Sequence, residues 1–295
     1  MIDPIQIRHT LHAHPELSGK EAWTSAFIVE QLQNLGIKKI HTGFSPHAII
    51  AEIEGQEVGK TILFRSELDA LPIQEIKDFD HKSQINGVSH KCGHDGHSAT
   101  LLAFAQKLMQ QKLKKGTVLL FFQSAEETAE GAKAALDSGI FDQFSIDYAF
   151  AYHNIPGSPL GAVLCKSGTF TPCVESLSIE LIGKNCHASE PAKGINPAKA
   201  ISQIINYFDT LHQADRNHVD YFVTTPIYIN MGEKAYGMSA GYAQIDYTIR
   251  TWHNRRFDQF KEKIIKNVGQ ICQKEQLLHN ITWLEPFIAA ASLIF

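Results

Sequence analysis

The stretch "KCGHDGHSAT", residues 91–100, gathers metal-binding side chains at the start of an apolar segment. Cys92, His94 and His97 offer a thiol and two imidazoles, and Asp95 lies between the two histidines. A thiolate, imidazoles and a carboxylate form a suitable ligand set for zinc or a similar divalent cation. The glycine between the cysteine and the first histidine allows a tight turn, and a helix N-terminus lowers the pKa of a thiol. The stretch therefore indicates a metal site, which needs further ligands elsewhere in the chain.

Three further polar clusters follow predicted strands. In open α/β sheets ligands bind at the carboxyl ends of strands, so these clusters are expected to meet at one edge. Two adjacent carboxylates at the end of an apolar strand favour a nearby cation. One can bind the metal, while the other takes a proton from the attacking water and passes it to the leaving group. The clusters together predict a metal hydrolase. The first cluster is Arg65, Glu67 and Asp69, the second is Glu126 and Glu127, and the third is His153.

Each cluster taken alone has a simpler explanation. Cys92 fits a small buried residue, and the two histidines after it fit side chains that hydrogen-bond at a helix start. The glutamate pair fits a solvated first turn of a helix. Asp69 fits a turn residue before a proline, and His153 fits an ordinary loop. Their joint occurrence at strand ends is what favours a common site.

The composition is that of a globular protein with a substantial core. The chain has 295 residues, of which 44% are hydrophobic and 20% charged, and its formal net charge is −4. Without a basic patch or a long apolar run, no nucleic-acid or membrane partner is indicated. Five cysteines without a close pair, and no signal-peptide pattern at the N-terminus, predict a reducing compartment and hence a cytoplasmic protein.

The first half of the chain alternates strand and helix patterns. Apolar runs of strand length occur at 48–55, 61–68, 117–124 and 147–153, and a helical pattern covers 94–111. This alternation predicts an α/β domain over residues 1–168, with a mostly parallel sheet flanked by helices on both faces.

From residue 169 the pattern changes to β-α-β-β-α-β, the ferredoxin-like unit, which we expect to form a second domain over 169–285. Its first helix is predicted to have Asn196 as N-cap and Pro197 as first helical residue. The apolar tail, residues 286–295, is predicted to begin a return to the first domain, or alternatively to form a short C-terminal strand.

The motifs match a known family in order along almost the whole chain. The sequence resembles the amidohydrolase branch of the aminoacylase and carboxypeptidase metallopeptidases, which includes hippurate hydrolase, auxin-conjugate hydrolases and N-acetyldiaminopimelate deacetylase. The matching stretches are "IRHTLHAHPELSGKE", "RSELDALPIQE", "HKCGHDGHSATLLAFAQKL", "LLFFQSAEETAEGAKAALDSG", "YHNIPGSPLGAV", "GKNCHASEPAKGINPAKAI" and "YTIRTW".

The resemblance implies a role for individual residues. Glu126 would be the general base, and His187 in the second domain would polarise the scissile carbonyl and stabilise the oxyanion. Arg250 would grip a substrate carboxylate, although it also fits a surface arginine on a strand. Asp69 and Glu67 would support the site from outside the ligand shell. The implied metal ligands are Cys92, His94, Glu127 and His153.

The implied protein is a metal-dependent amidohydrolase that cleaves N-acyl amino acids. The family uses divalent metal, Zn²⁺ or Mn²⁺, with two ions per site, and the second domain would serve as a lid and dimerisation domain in a homodimer. A dipeptidase or carboxypeptidase on the same scaffold is the alternative activity. An inactive remnant that acts as a binding or dimerisation protein is the alternative of another class.

Three departures from the family pattern concern the site. Ser66 and Glu67 stand where relatives have alanine and aspartate, and "YGMSAGYA" stands where relatives often have Asn-x-Ile-Pro. Relatives also supply one more ligand histidine after the second domain, whereas no histidine follows His279 here. The resemblance therefore implies a C-terminally truncated catalytic domain with one ligand fewer.

Overall fold

The structure, a computed structural model, describes residues 2–292 of the chain. It divides into two units, Met1–Leu160 and Gly161–Phe295. Each unit has its own cluster of buried apolar side chains. Among the described residues, no helix combines the length and the apolar character that crossing a membrane requires.

Among its described residues, the first unit contains one five-stranded sheet, four α-helices and a short 3₁₀ helix (Ile140–Gln143). Its strands are β1 (Lys39–His41), β2 (Ile49–Glu54), β3 (Glu57–Glu67), β4 (Lys115–Gln123) and β5 (Ile146–Ala151). Its helices are α1 (Pro4–Ala13), α2 (Ala22–Asn34), α3 (His94–Gln111) and α4 (Gly131–Asp137). The strands lie in the order β1-β2-β4-β3-β5.

This sheet is mixed, because β1, β3, β4 and β5 run in one direction and β2 in the other; the prediction of a mostly parallel sheet therefore holds except at β2. β3 pairs in parallel with β4 and with β5, whereas β2 is antiparallel to both β1 and β4. The reason lies in the connections. Helices α3 and α4 carry the chain back between the parallel strands, but only residues 55 and 56 separate β2 from β3. So short a turn reverses the chain direction.

Both faces of the sheet are covered by apolar contacts. Successive side chains of β4 point to opposite faces, as in any strand. Leu120 and Phe122 join the cluster that includes residues of α1, α2 and α3. Leu119 and Phe121 join a second cluster that includes Ala135 of α4. The apolar run of β4 is thus buried on both faces of the sheet, as its composition predicts. The polar residues that follow β4 are positioned at the carboxyl end of this buried strand.

The second unit has the β-α-β-β-α-β order in its main elements. Its strands are β6 (Gly168–Thr171), β7 (Cys173–Ile182), β8 (Cys186–His187), β9 (Phe222–Met231), β10 (Met238–Ser239), β11 (Tyr242–Thr251), β12 (Leu278–Phe287) and β13 (Ala290–Ser292), and its helices are α5 (Ala198–Leu211) and α6 (Asn254–Lys274). The main sheet has the order β12-β7-β11-β9 and is antiparallel throughout. Side chains of α5 and α6, such as Phe208 and Ile264, pack with strand residues in one core.

Two details at element ends differ from the sequence pattern. Helix α5 begins at Ala198, one residue later than predicted, so that Pro197 takes the cap position. Asn196 still caps the helix, because its Oδ1 accepts from the Ala198 N–H at 2.8 Å. Near the C-terminus, β13 pairs with β6 within the second unit. The last three residues of the apolar tail, 293–295, lie outside the described residues.

Candidate metal centre

A glycine turn presents Cys92 and His94 at the N-terminus of α3. Gly93 has φ +104°, which residues with a side chain rarely adopt. A Cβ atom at this position would lie only 2.6 Å from Oδ1 of Asn154. Glycine is therefore needed both for the turn and for the close approach of the segment that follows β5.

His94 is fully buried and is held through one ring nitrogen. Its Nδ1 lies 2.9 Å from the backbone oxygen of Asp69 and 3.1 Å from the carboxylate of the same residue. Because both neighbours are acceptors, Nδ1 carries the proton. Its Nε2 faces an oxygen of Glu126 at 3.7 Å and an oxygen of Glu127 at 3.7 Å. Such anchoring of one nitrogen, with the other left as a lone-pair donor, is typical of a metal-binding histidine.

The predicted ligands come together in two overlapping groups that share His94. In the first group, atoms of Cys92, His94 and His153 all lie within 4.8 Å of one another, with 3.3 Å between the Cys92 Sγ and the His153 Nε2. In the second group, atoms of His94, Glu126 and Glu127 lie within the same limit. Residues from the start of α3, the end of β4 and the end of β5 thus surround one point.

Two buried acceptors at this point have no hydrogen-bond partner among the residues that the structure describes. They are the Nε2 of His94 and the Oε1 of Glu127, which lie 3.7 Å apart. Buried polar atoms are normally paired, and two acceptors face each other favourably only with a proton or a cation between them. The available sulfur, nitrogen and oxygen donors match the preferences of Zn²⁺ and related ions. The residues present therefore fit a divalent metal.

The protonation of His94 and Cys92 reflects the negative surroundings. Burial alone would lower the pKa of His94, but the hydrogen bond to Asp69 and the nearby Cys92 and Glu67 raise it to about 11. A proton on Nε2 therefore takes the position between His94 and Glu127 unless a cation replaces it. Burial raises the pKa of the Cys92 thiol above its usual value, and His94 only partly offsets this. The lowered thiol pKa predicted from the helix N-terminus is therefore not found, because burial raises the pKa instead. A cation bound here would favour the thiolate.

Glu126 combines partial exposure with a raised pKa. It follows Ala125, whose φ of +47° turns the chain sharply after β4. Its side chain is 25% exposed, and its Oε1 lies 3.8 Å from a guanidinium nitrogen of Arg65. Burial raises the pKa of Glu126, although Arg65 partly opposes the rise. A carboxyl group of this kind accepts and returns a proton more readily near neutral pH.

Glu67 is connected to the His153 segment through His97. Its Oε2 lies 2.8 Å from the His97 Nδ1, and its Oε1 pairs with Arg65. The opposite nitrogen of His97 lies 2.7 Å from Oδ1 of Asn154, the residue after His153. Burial alone would raise the pKa of Glu67, but His97 and Arg65 hold it below its usual value. The alternative of a hydrogen-bonding helix-start residue thus describes His97 correctly.

Asp69 joins two loops of the centre. Its Oδ2 accepts from the Ser18 hydroxyl at 2.7 Å and from the Glu127 N–H at 2.9 Å, while its Oδ1 faces His94. Burial alone would raise the pKa of Asp69, but these hydrogen bonds lower it. Asp69 therefore orients groups of both the ligand histidine and the glutamate loop.

His187 and Arg250 lie in the second unit. His187 is exposed in β8, which pairs with β10. Its Nδ1 accepts from the Ser189 N–H at 3.2 Å, so the neutral ring carries its proton on Nε2. Arg250 lies in β11, opposite Val174 and Val223.

The sequence patterns missed Ser18, Glu21 and Asn154, which all touch the centre or its loops. Glu21 and Ala125 are in contact although they are 104 positions apart in the sequence, and no local sequence pattern predicts such a pair. Ser18 and Glu21 do lie in "HPELSGKE", one of the stretches that carry the family resemblance, and that was the only available signal.

Two curated relatives cover most of the chain. It is 34% identical over 281 residues to N-acetyl-L-cysteine deacetylase of Bacillus subtilis, an alignment that covers 95% of this chain and 66% of that protein. It is 35% identical over 273 residues to thermostable carboxypeptidase 2 of Saccharolobus solfataricus, covering 91% of this chain and 68% of that protein. The chain thus spans about two thirds of the length of these relatives.

The fold is similar to a solved structure. The YXEP protein of Bacillus subtilis, described as a dinuclear metal binding peptidase from the M20 family, superimposes with a TM-score of 0.78 at 29% identity, covering 98% of this chain and 74% of that one. A family model for peptidase family M20/M25/M40 matches residues 63–290. This match spans all five residues grouped around His94. The chain belongs to peptidase family M20/M25/M40.

Proposed function

We propose that this chain is a metal-dependent amidohydrolase that cleaves the amide bond of N-acyl amino acids. The observation that carries the proposal is the cluster around His94, in which thiol, imidazole and carboxylate groups converge and two buried acceptors lack partners. The similarity to N-acetyl-L-cysteine deacetylase supports this substrate class.

Cys92, His94, Glu127 and His153 would hold the metal. A bound divalent ion such as Zn²⁺ or Mn²⁺ supplies a Lewis acid for the acyl carbonyl and lowers the pKa of water. Two ions are supported by the dinuclear metal binding named for the YXEP protein.

Glu126 moves the proton. Its carboxylate accepts a proton from water as the oxygen of that water adds to the acyl carbonyl carbon. The same carboxyl then donates the proton to the amine nitrogen as the carbon–nitrogen bond breaks, and so it returns to its starting state. The raised pKa of Glu126 makes its carboxylate a stronger proton acceptor than an ordinary glutamate.

Two residues of the second unit would act on the substrate. His187 would donate from Nε2 to the developing oxyanion, since its Nδ1 accepts from Ser189. Arg250 would bind the substrate carboxylate through two parallel hydrogen bonds.

The second unit would also act as a lid and dimerisation domain. Strand β9 is at one edge of the main sheet, so its outer backbone groups are unpaired within that sheet. Four of its large hydrophobic side chains are exposed, Ile227, Tyr228, Ile229 and Met231. An edge of this kind supports pairing with a second copy of the chain. A cytoplasmic location is proposed as well, supported by five cysteines that are all free.

The change Glu126→Gln tests the mechanism, because it keeps the size of the side chain but removes the proton acceptor. We expect hydrolysis of N-acetyl amino acids to fall by about 10²- to 10⁴-fold, with metal content per chain unchanged. The matched control is Glu130→Gln, four residues on and exposed, which should leave activity near wild type. Full activity in Glu126→Gln would contradict the assignment.

A carboxypeptidase or dipeptidase is the second candidate, favoured by the likeness to thermostable carboxypeptidase 2. Parallel assays with N-acetyl amino acids and with unblocked dipeptides separate the two activities. A folded protein that takes up no divalent metal would contradict both, and would favour a binding or dimerisation protein.

A further inference from the structure

Residues 16–21 have no part in the proposed chemistry, yet they reach two loops of the metal centre. Ser18 donates to Asp69 at 2.7 Å, and Oε1 of Glu21 accepts from the backbone N–H of Ala125 at 2.6 Å. The backbone takes part as well, since the Ala70 N–H donates to the carbonyl of Glu16 at 2.8 Å. This segment therefore contacts the chain after β3 and the chain after β4.

Glu21 does not serve the helix that it precedes. It has the N-cap position of α2 but makes no side-chain cap hydrogen bond. That task falls to Glu16, which accepts from the Trp23 N–H at 3.3 Å and from the Thr24 N–H at 2.8 Å. Glu21 is 0% exposed, and its Oε2 has no partner among the described side chains and backbone. A buried, half-satisfied carboxylate is unfavourable for stability, so helix capping does not explain it.

The contact with Ala125 does explain it. Ala125 has φ +47°, a left-handed conformation that is unfavourable for alanine. The N–H of Ala125 is held by Glu21, and the N–H of Glu127 is held by Asp69 at 2.9 Å. Buried carboxylates thus fix the backbone on both sides of Glu126.

We infer that Glu21 is a positioning residue that holds the Ala125 turn and so directs the carboxylates of Glu126 and Glu127 toward His94. The inference rests on the proposed function for the roles of base and ligand, but the backbone contact stands apart from it. Removing the acceptor at Glu21 should disturb the metal centre. It also leaves the buried N–H of Ala125 unpaired and so lowers the stability of the fold, which means that metal affinity, not stability, distinguishes Glu21 from a purely structural residue.

The test compares matched changes in the full chain. Glu21→Met removes the acceptor while filling the space, and Glu21→Gln keeps an acceptor oxygen. The control Glu16→Met removes the other carboxylate of the same segment, which contacts only the start of α2 through its side chain. Three properties are measured: amide hydrogen exchange at residues 125–127, affinity and visible spectrum with Co²⁺ alone, and thermal unfolding.

For Glu21→Met we expect amide exchange at Ala125 to become at least about 10-fold faster and Co²⁺ binding about 10- to 100-fold weaker, with a melting temperature below that of wild type because the Ala125 N–H loses its partner. Glu21→Gln should restore both exchange and Co²⁺ affinity. Glu16→Met should melt lower but bind Co²⁺ as wild type does. Unchanged exchange and unchanged Co²⁺ affinity in Glu21→Met would overturn the inference. Failure of wild type to bind Co²⁺ would overturn the proposed function instead, while the exchange data would still decide whether Glu21 holds Ala125.

Discussion

Replacing Gly93 by alanine should disturb the metal centre, because Gly93 forms the turn between Cys92 and His94. A Cβ atom there would lie 2.6 Å from Oδ1 of Asn154, where ordinary contact begins at 3.4 Å, so Asn154 must retreat by about 0.8 Å. That retreat would stretch the 2.7 Å contact between Asn154 and His97 beyond hydrogen-bonding distance. Backbone strain at φ +104° adds about 1–3 kcal/mol, and the lost hydrogen bond about 1 kcal/mol.

We therefore expect Gly93→Ala to lower the free energy of unfolding by about 2–4 kcal/mol, and to weaken divalent metal binding by about 10- to 100-fold. Urea unfolding in the presence of a chelator measures the first quantity, and titration with Co²⁺ the second. Gly96→Ala is the matched control, three residues on within α3. Its added Cβ would meet only Arg8, at 3.9 Å, so it should raise stability by up to about 1 kcal/mol.

Two results would refute this reasoning. Equal stability of the Gly93→Ala and Gly96→Ala variants would mean that neither the turn nor the approach of Asn154 is as tight as described. A less stable Gly93→Ala variant with wild-type Co²⁺ affinity would mean that the turn supports the fold but does not position Cys92 and His94.

Three further predictions concern other parts of the chain. His97→Leu removes the hydrogen bonds that connect Glu67 with the segment after β5. We expect the free energy of unfolding in urea to fall by about 1–3 kcal/mol and the affinity for Co²⁺ to fall as well. An unchanged affinity for Co²⁺ would contradict this connection. Ile229→Lys places a charge on the edge strand β9 and should convert a dimer to a monomer in light scattering, whereas a persisting dimer would rule out this edge. A hydrogen bond to Asp95 raises the pKa of His12 above 6.5 despite burial, so the stabilisation by charged His12 is complete below pH 6.5 and is lost as the pH rises through the raised value. The stability difference between wild type and His12→Asn should shrink from pH 6 to pH 9 in chelator, and a constant difference would contradict the contact.

Elements with strong local signals could be predicted from the sequence. The helix α3 was predicted at its observed bounds because its apolar spacing is regular and a glycine precedes it. The apolar run of β4 likewise predicted a strand buried on both faces. The reversed direction of β2 was missed, because the apolar pattern of a strand carries no sign of its direction. The reversal follows from the two-residue connection to β3.

The sequence predicted which side chains come together at the candidate site, but not the hydrogen bonds that hold them in place. Cysteine, histidine and paired carboxylates at strand ends are chemically distinctive, so their convergence around His94 follows the predicted edge. The supporting contacts are ordinary residues far apart in sequence, such as Glu21 with Ala125. The direction of the Cys92 pKa shift was missed because burial, which raises that pKa, depends on the whole fold.

The glutamate pair shows why those supports matter for the chemistry. In extended backbone successive side chains point to opposite faces, so Glu126 and Glu127 could not both face one atom. Here an oxygen of each lies 3.7 Å from the Nε2 of His94, because both residues lie in a turn, closed by the Ala129 N–H that donates to the Glu126 carbonyl, and not in extended backbone. Distance from His94 therefore does not distinguish the two carboxylates, but their surroundings do. Glu126 has Arg65 beside it at 3.8 Å, whereas Glu127 presents a buried oxygen that accepts no hydrogen bond from the described residues. That difference supports assigning proton transfer to the first and metal binding to the second.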